Sequence, residues 1–292
     1  MQIKQLAFAL VIAFGLSLPL SAADKAKKDA AKKPEAKPKE TSVFADKNLE
    51  KAVRRQVFAK RDNNEPLTAA DVAQVAIVTG RGLGIKSLAG LEHCRALASL
   101  DLSDNAIVDL TPIEGLPRLQ QLILNTNKIV SMAPLKANTA LQYIDLNANA
   151  VKDIAPLAGL TNLAVLYLSD NEVKDIRPVT GLPKLHSLYI DRNGLAKITG
   201  LDRLRWLSSF SAAGNQIADI GPLGGLENLS FLFLENNKIA DLGPLLASLK
   251  KDYEGEQRFA PYLNIHLKGN PLGKSALEQI EQFKKRHHTR FK

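Results

Sequence analysis

One asparagine recurs every 22 residues along the middle of this chain: Asn105, Asn127, Asn149, Asn171, Asn193, Asn215 and Asn237. The seven units that carry it begin at Leu97, Leu119, Leu141, Leu163, Leu185, Leu207 and Leu229, without a slip in spacing. A fixed period of this length marks a solenoid, in which each unit packs only on its neighbours and no unit can bury its apolar face alone.

Numbering each unit from its first Leu, positions 1, 4, 6, 11, 14, 17 and 20 are apolar almost throughout. Alternation between positions 3 and 7 has strand period. Side chains at 4 and 6 then point inward, and those at 3, 5 and 7 outward. The Asn stands at position 9, where the chain leaves the strand. Its amide carries both donor and acceptor, so it is expected to satisfy the backbone of a neighbouring buried turn. Stacked copies would make a ladder that ends at Asn270. Position 16 is proline in six of the seven units (Pro112, Pro134, Pro156, Pro178, Pro222, Pro244), which fixes the return path and stops a long helix. Asp109, Asp153, Asp175, Asp219 and Asp241 share position 13. They are expected to bond turn amides, with a row of metal ligands as the competing reading.

The pattern L-x-x-L-x-L-x-x-N-x-I/V/L-x-x-I/L/M-x-P-L resembles the leucine-rich repeat family, in its 22-residue class of internalin and phosphatase-regulator type. The resemblance implies an α/β solenoid, a right-handed superhelix with horseshoe or arc form. It places one parallel β-sheet on the concave face, short 3-10 or helical segments on the convex face, and helical caps at both ends. It covers residues 77–272, about eight or nine repeats. It is specific for fold and weakly specific for function, because function resides in sites carried by folds.

Both ends of a solenoid need covering. Residues 41–76 form the expected N-terminal helical cap. Asp46 can cap a helix with Leu49, Val53 and Val57 on one face, and Thr68 with Asp71 has the spacing of a capping box. The unit from Val75 to Ala96 has lost its Asn but keeps Ile85, Leu88 and Leu91. The lone cysteine, Cys94, sits at core position 20 and is expected to be a buried apolar residue. Asn237 and Asn270 are 33 residues apart, so an 11-residue insertion lies within residues 246–261. A longer helix over residues 243–251 is expected there. Residues 273–292 read as a capping helix, with Leu277, Ile280 and Phe283 inward, and a basic tail that is solvated.

Residues 1–23 combine Lys4, an apolar stretch and the small residues Ser21, Ala22 and Ala23. That is the layout of a secretory signal peptide, with an uncleaved anchor as the alternative. Export to the periplasm, the cell surface or the medium is expected, with no transmembrane span after processing. Residues 24–40 are Lys, Ala, Pro and acids, a composition with nothing to bury, and read as a disordered linker. The linker and the tail are either solvated or in weak contact with an anionic envelope surface. The net charge of +9 is concentrated at the two ends, and residues 41–270 carry only +1. A nucleic-acid-binding face is therefore not expected. A monomer is.

No nucleophile elbow, phosphate loop or metal-spaced His/Cys set is present. The sequence therefore predicts no catalytic residue, cofactor or metal, and no enzyme. His186 and His266 read as isolated outward positions. The informative residues are those projecting from the concave sheet: Tyr143, Asp145, Val165, Tyr167, Tyr189, Asp191, Phe231, Phe233 and Glu235. The tyrosines and Val165 form one apolar group edged by carboxylates. Phe231 and Phe233 form a second, one small-residue repeat away. Such a surface suits a protein or peptide partner. The competing readings are aromatics that only pack along the sheet, phenylalanines covered by the insertion near Tyr253, and an adhesive envelope component held by its Lys-rich tether. Gly194, Lys197, Gly200 and Ala212 depart from the repeat and predict a local change of curvature.

Overall fold

The inner rungs stack as the period requires. The computed structural model describes residues 41–287 and 290–292, so the readings of residues 1–23 and 24–40 lie outside it. Ten strands among the described residues form one parallel sheet in chain order. They are β1 (Ile77–Thr79), β2 (Ser99–Asp101), β3 (Gln121–Ile123), β4 (Tyr143–Asp145), β5 (Val165–Tyr167), β6 (Ser187–Tyr189), β7 (Ser209–Ser211), β8 (Phe231–Phe233), β9 (Asn264–His266) and β10 (Arg290–Phe291). Register is constant. Leu100, Leu122, Ile144, Leu166, Leu188, Phe210 and Leu232 stand side by side across β2 to β8. All are fully buried, as are the other apolar positions of the repeat. Stacking is what buries them.

Strands β1 to β9 are only three residues long because the chain bends at once. Position 8 takes the left-handed conformation at Asp104, Thr126, Ala148, Asp170, Arg192 and Asn236, with φ between 51° and 58°. This conformation is uncommon for residues other than glycine, and most of all for a β-branched one such as Thr126. The following Asn holds it. Asn127 Nδ2 donates to the carbonyls of Leu102 and Leu124, both at 3.0 Å, and its Oδ1 accepts the Ile107 N–H at 2.9 Å. One side chain thus ties its own turn to the preceding unit. Asn105, Asn149, Asn171, Asn215 and Asn237 repeat the arrangement. Asn193 bonds the Leu168 and Asp191 carbonyls and the Val173 amide. Asn270 ends the series by bonding Leu234, Leu267 and Ile239 across the insertion.

On the outer side, Asp109, Asp153, Asp175, Asp219 and Asp241 each accept the backbone N–H two residues on, at 2.8–2.9 Å. After Asp109, Asp153, Asp175 and Asp219 a proline follows in the first turn of a short 3-10 segment, and after Asp241 in the first turn of an α-helix; its missing N–H costs nothing there. The Leu185 unit lacks this pair and starts its turn instead at Gly200, with φ +86° and Thr180 Oγ1 3.0 Å from where a Cβ would stand. In the Leu207 unit, small Ala212 is matched by large Phe210, both fully buried. Sheet register runs through both units unbroken.

At the N-terminal end, Asp46 caps α1 (Lys47–Arg54) through the amides of Asn48 and Leu49, and its second oxygen accepts the amides of Lys86 and Ser87. The cap is thereby fastened to the first unit. Thr68 and Asp71 form a capping box at α2 (Ala69–Val72). Burial opposes ionisation of Asp71, but hydrogen bonds from Lys60 and Thr68 outweigh it and hold the carboxyl at about 2. Cys94 is fully buried, and burial pushes its thiol up to about 12.

The C-terminal end differs from expectation in three respects. Helix α3 (Gly243–Glu254) extends a turn beyond residue 251. Helix α4 (Lys274–His287) buries Ala276 and Ile280 and half-buries Phe283, whereas Leu277 is 50% exposed. The inward stripe follows the i, i+4, i+7 spacing that begins at Ala276. The final residues are not a solvated tail. Arg290 and Phe291 pair with β9, and the Lys292 N–H donates to the Ile265 carbonyl at 2.7 Å. Phe291 packs edge-on against Phe283 at 6.2 Å, which gives the strand an apolar anchor.

Asn171 is 7% exposed and bonds one amide and three carbonyls. Asn171→Ala leaves these buried groups unpaired and should cost about 3 kcal/mol in urea unfolding. A loss within about 0.5 kcal/mol would contradict the role given to the ladder.

Candidate interaction face

The repeat places every outward residue in a column. Asp145, Tyr167 and Tyr189 are direct neighbours on β4, β5 and β6, and Tyr143 stands beside Val165. The Tyr143 and Tyr167 rings meet edge to face, with centroids 5.6 Å apart at 76°. Tyr167 and Tyr189 are 4.8 Å apart and tilted. Each lies within the separations at which aromatic pairs attract.

The phenylalanines are not a separate group. Tyr189 reaches across β7 to within 6.4 Å of Phe233, which is itself 6.3 Å from Phe231 and 4.7 Å from His266. The small residues of β7 make this possible. Ser209 and Ser211 are buried beneath the ring, and Ser209 Oγ lies 2.9 Å from the Tyr189 hydroxyl. The result is one continuous row, Tyr143–Tyr167–Tyr189–Phe233–His266, with Phe231 beside it. The insertion does not cover it. Phe231 is 47% exposed, and Tyr253 instead faces Phe283 and donates to the Ala260 carbonyl. His266 is therefore not isolated. Its column place was hidden by the insertion, and counting back from Asn270 puts it at position 5.

The carboxylates have different duties. Asp191 accepts the Ala213 N–H at 2.8 Å and the hydroxyls of Ser169 and Ser211, so it serves the sheet. Glu235 Oε1 is 3.3 Å from His266 Nδ1, and its Oε2 is buried without a hydrogen-bond partner. Asp145 is half-buried on this face. Burial raises its pKa, Asp101 adds to this, and the Asn147 N–H at 3.0 Å only partly offsets them. Burial, with Asp145, Tyr167 and Asp101 in that order, pushes the Tyr143 phenol up to about 12. Burial also raises Tyr167, followed by the effects of Tyr189 and Asp145. Asp101 stands in the same column as Asp145, with Ile123 between them.

Among the described residues, no group of three or more His, Cys, Asp or Glu is arranged to hold a metal ion. No helix among them is long and apolar enough to cross a membrane.

One-coil units of strand, asparagine-bonded turn and 3-10 segment, with an outward sheet face, define a leucine-rich repeat solenoid. The chain belongs to the leucine-rich repeat family, matching its two-copy repeat at residues 95–137, 139–178, 161–203 and 205–247. It is internalin-like. Internalin C2 of Listeria monocytogenes is 32% identical over 72% of this chain and 94% of that one, with a TM-score of 0.67. The internalin InlF of the same organism is 26% identical over 82% and 86% of the two chains, with a TM-score of 0.61. A leucine-rich repeat protein of Leptospira interrogans shares the fold at 21% identity over 69% and 56%, with a TM-score of 0.60. No curated protein sequence matches the chain.

The raised Asp145 pKa means that folding holds its proton more tightly than the unfolded chain does. Its ionisation therefore destabilises the fold, and stability falls as pH rises from the unfolded carboxylate pKa through the folded one. Asp145→Asn should be at least as stable as the parent near pH ~7, and its advantage should shrink as pH falls to about 4. Urea midpoints at the two pH values measure this. A variant less stable at neutral pH, with the deficit vanishing in acid, would contradict it.

Proposed function

We propose that the chain is a non-enzymatic interaction module that holds a protein or peptide partner on its concave sheet. The carrying observation is the continuous row of rings from Tyr143 to Phe233, half-open to solvent and ending at exposed Phe231. Contiguous apolar surface edged by polar groups is the usual character of a recognition patch. Tyrosine supplies large rigid area with a polar tip, at low entropic cost. Val165 extends the patch beside Tyr143. Asp145 and Glu235 edge it, while Asp191 props the strands below. The positions that do this are free of the repeat's own requirements, so they can vary without disturbing the coil. Export of the module rests on the signal-like pattern of residues 1–23.

The test is capture from an envelope extract by the immobilised protein, compared with a Tyr143→Ala/Tyr167→Ala/Tyr189→Ala variant. Truncating three interface aromatics should reduce capture by about tenfold or more. Circular dichroism and melting temperature establish that the variant is folded. Equal capture by a folded variant would remove this face from consideration.

A further inference from the structure

The outward positions of the seven asparagine-bearing units show a charge bias that the chain as a whole does not. From Ser99 to Glu235, positions 3, 5 and 7 hold Asp101, Asp145, Asp191 and Glu235 and no Lys or Arg. Residues 41–270 overall hold 25 basic and 24 acidic residues. Basic side chains are absent from these positions in the seven units, and appear at position 7 only in the flanking coils, as Arg81, which pairs with Asp104, and Lys268. Two of the four acids are engaged, Asp191 by sheet donors and Glu235 beside His266. Asp101 and Asp145 have no cationic partner among the described residues. Asp101 Oδ1 accepts from Ser103, and Asp145 Oδ1 accepts from Asn147, which leaves each Oδ2 without a described hydrogen bond.

These two carboxylates lie two strands apart, about 10 Å, with the side chain of Ile123 between them. Tyr143 is within electrostatic reach of both, and Tyr167 stands directly beside Asp145. Any partner that covers the tyrosines also removes water from Asp145. Stripping a carboxylate of water without a counter-charge is costly. An acidic or wholly apolar partner bears that cost. A basic one cancels it with charge-assisted hydrogen bonds and gains cation–π attraction from the flanking rings.

We infer that the partner is an extended peptide segment whose Lys or Arg head group seats between Asp101 and Asp145 against Tyr143 and Tyr167, with apolar side chains running on toward Phe233. This rests on the docking face proposed above and names the chemistry it accepts. The path from β3 to β8 crosses five strand spacings, about 24 Å, which an extended segment of about seven residues covers.

The experiment selects displayed random peptides of about nine residues on the immobilised full chain, in parallel with the triple tyrosine variant and with Asp101→Asn/Asp145→Asn. Wild-type protein should enrich peptides with Lys or Arg at one fixed position followed by apolar residues. A synthetic copy of the leading peptide should bind the asparagine variant about tenfold more weakly, and the wild type more weakly as KCl is raised. Replacing the peptide's basic residue by Gln should have the same effect, a test that does not depend on either variant folding. Peptides that need the tyrosines but show no Lys or Arg enrichment, or bind equally after the Gln replacement, would overturn the inference and leave the docking face standing. Peptides indifferent to the tyrosine substitutions would overturn both.

Discussion

The structure depends on how a buried bend satisfies its backbone. After three strand residues the chain turns sharply, and the turn lies against the next unit rather than in water. Some of its groups pair with the next coil, as the Thr126 N–H does with the Asn147 carbonyl at 2.8 Å, but the Leu124 carbonyl and the Ile107 amide meet only Asn side chains. One Asn side chain, offering a donor and an acceptor, bonds carbonyls of its own and the preceding unit and accepts the amide of a residue 20 positions earlier. The left-handed residue before it, even Thr126, is held because this network over-determines the turn. What is fixed is the spacing from strand to Asn: residues added in the outer segment leave the bonding intact, as the 11-residue insertion before Asn270 shows.

A frame held so strictly turns the outward positions into straight columns at strand spacing. Contacts between columns are then set by side-chain size. Tyr167 touches Tyr189 because they are neighbours, and Tyr189 touches Phe233 because Ser211 leaves the space. The core and the face are specified by alternate residues of the same three-residue strands. The repeat can therefore remain constant while the face is written independently. The exceptions are informative. Ser169, Ser211 and Asp191 point outward yet bond one another and the backbone, so they brace the sheet rather than present chemistry.

Most of the architecture was legible because it is local and periodic. Strand positions, the inward leucines, the Asp turn caps, the capping box at Thr68 and the site of the insertion all follow from spacing. The column arrangement of Tyr143, Val165, Tyr167 and Tyr189 follows from the same count. What was not legible depends on reach or on a break in the count. The bridge across β7 needs the length of a tyrosine over two buried serines. The tilted contact of His266 with Phe233 lies beyond an 11-residue insertion that interrupts the numbering. In α4 the inward stripe begins at Ala276, a small residue with little hydrophobic signal of its own, so Leu277 drew attention that belonged to its neighbour. The pairing of Arg290 and Phe291 with β9 has no repeat behind it at all.

The central claim, that asparagine side chains close each turn of the coil, is tested most directly by amide hydrogen exchange resolved to single residues. Ile107, Ile129, Val151, Val173, Leu195, Ile217 and Ile239 donate their amides to an Asn side chain rather than to a strand or helix. On this account they should exchange as slowly as the inner strand amides of Leu122, Ile144 and Leu166, with protection near that of global unfolding. Exchange of these seven amides at rates typical of exposed loops, while the strand amides stay protected, would contradict it.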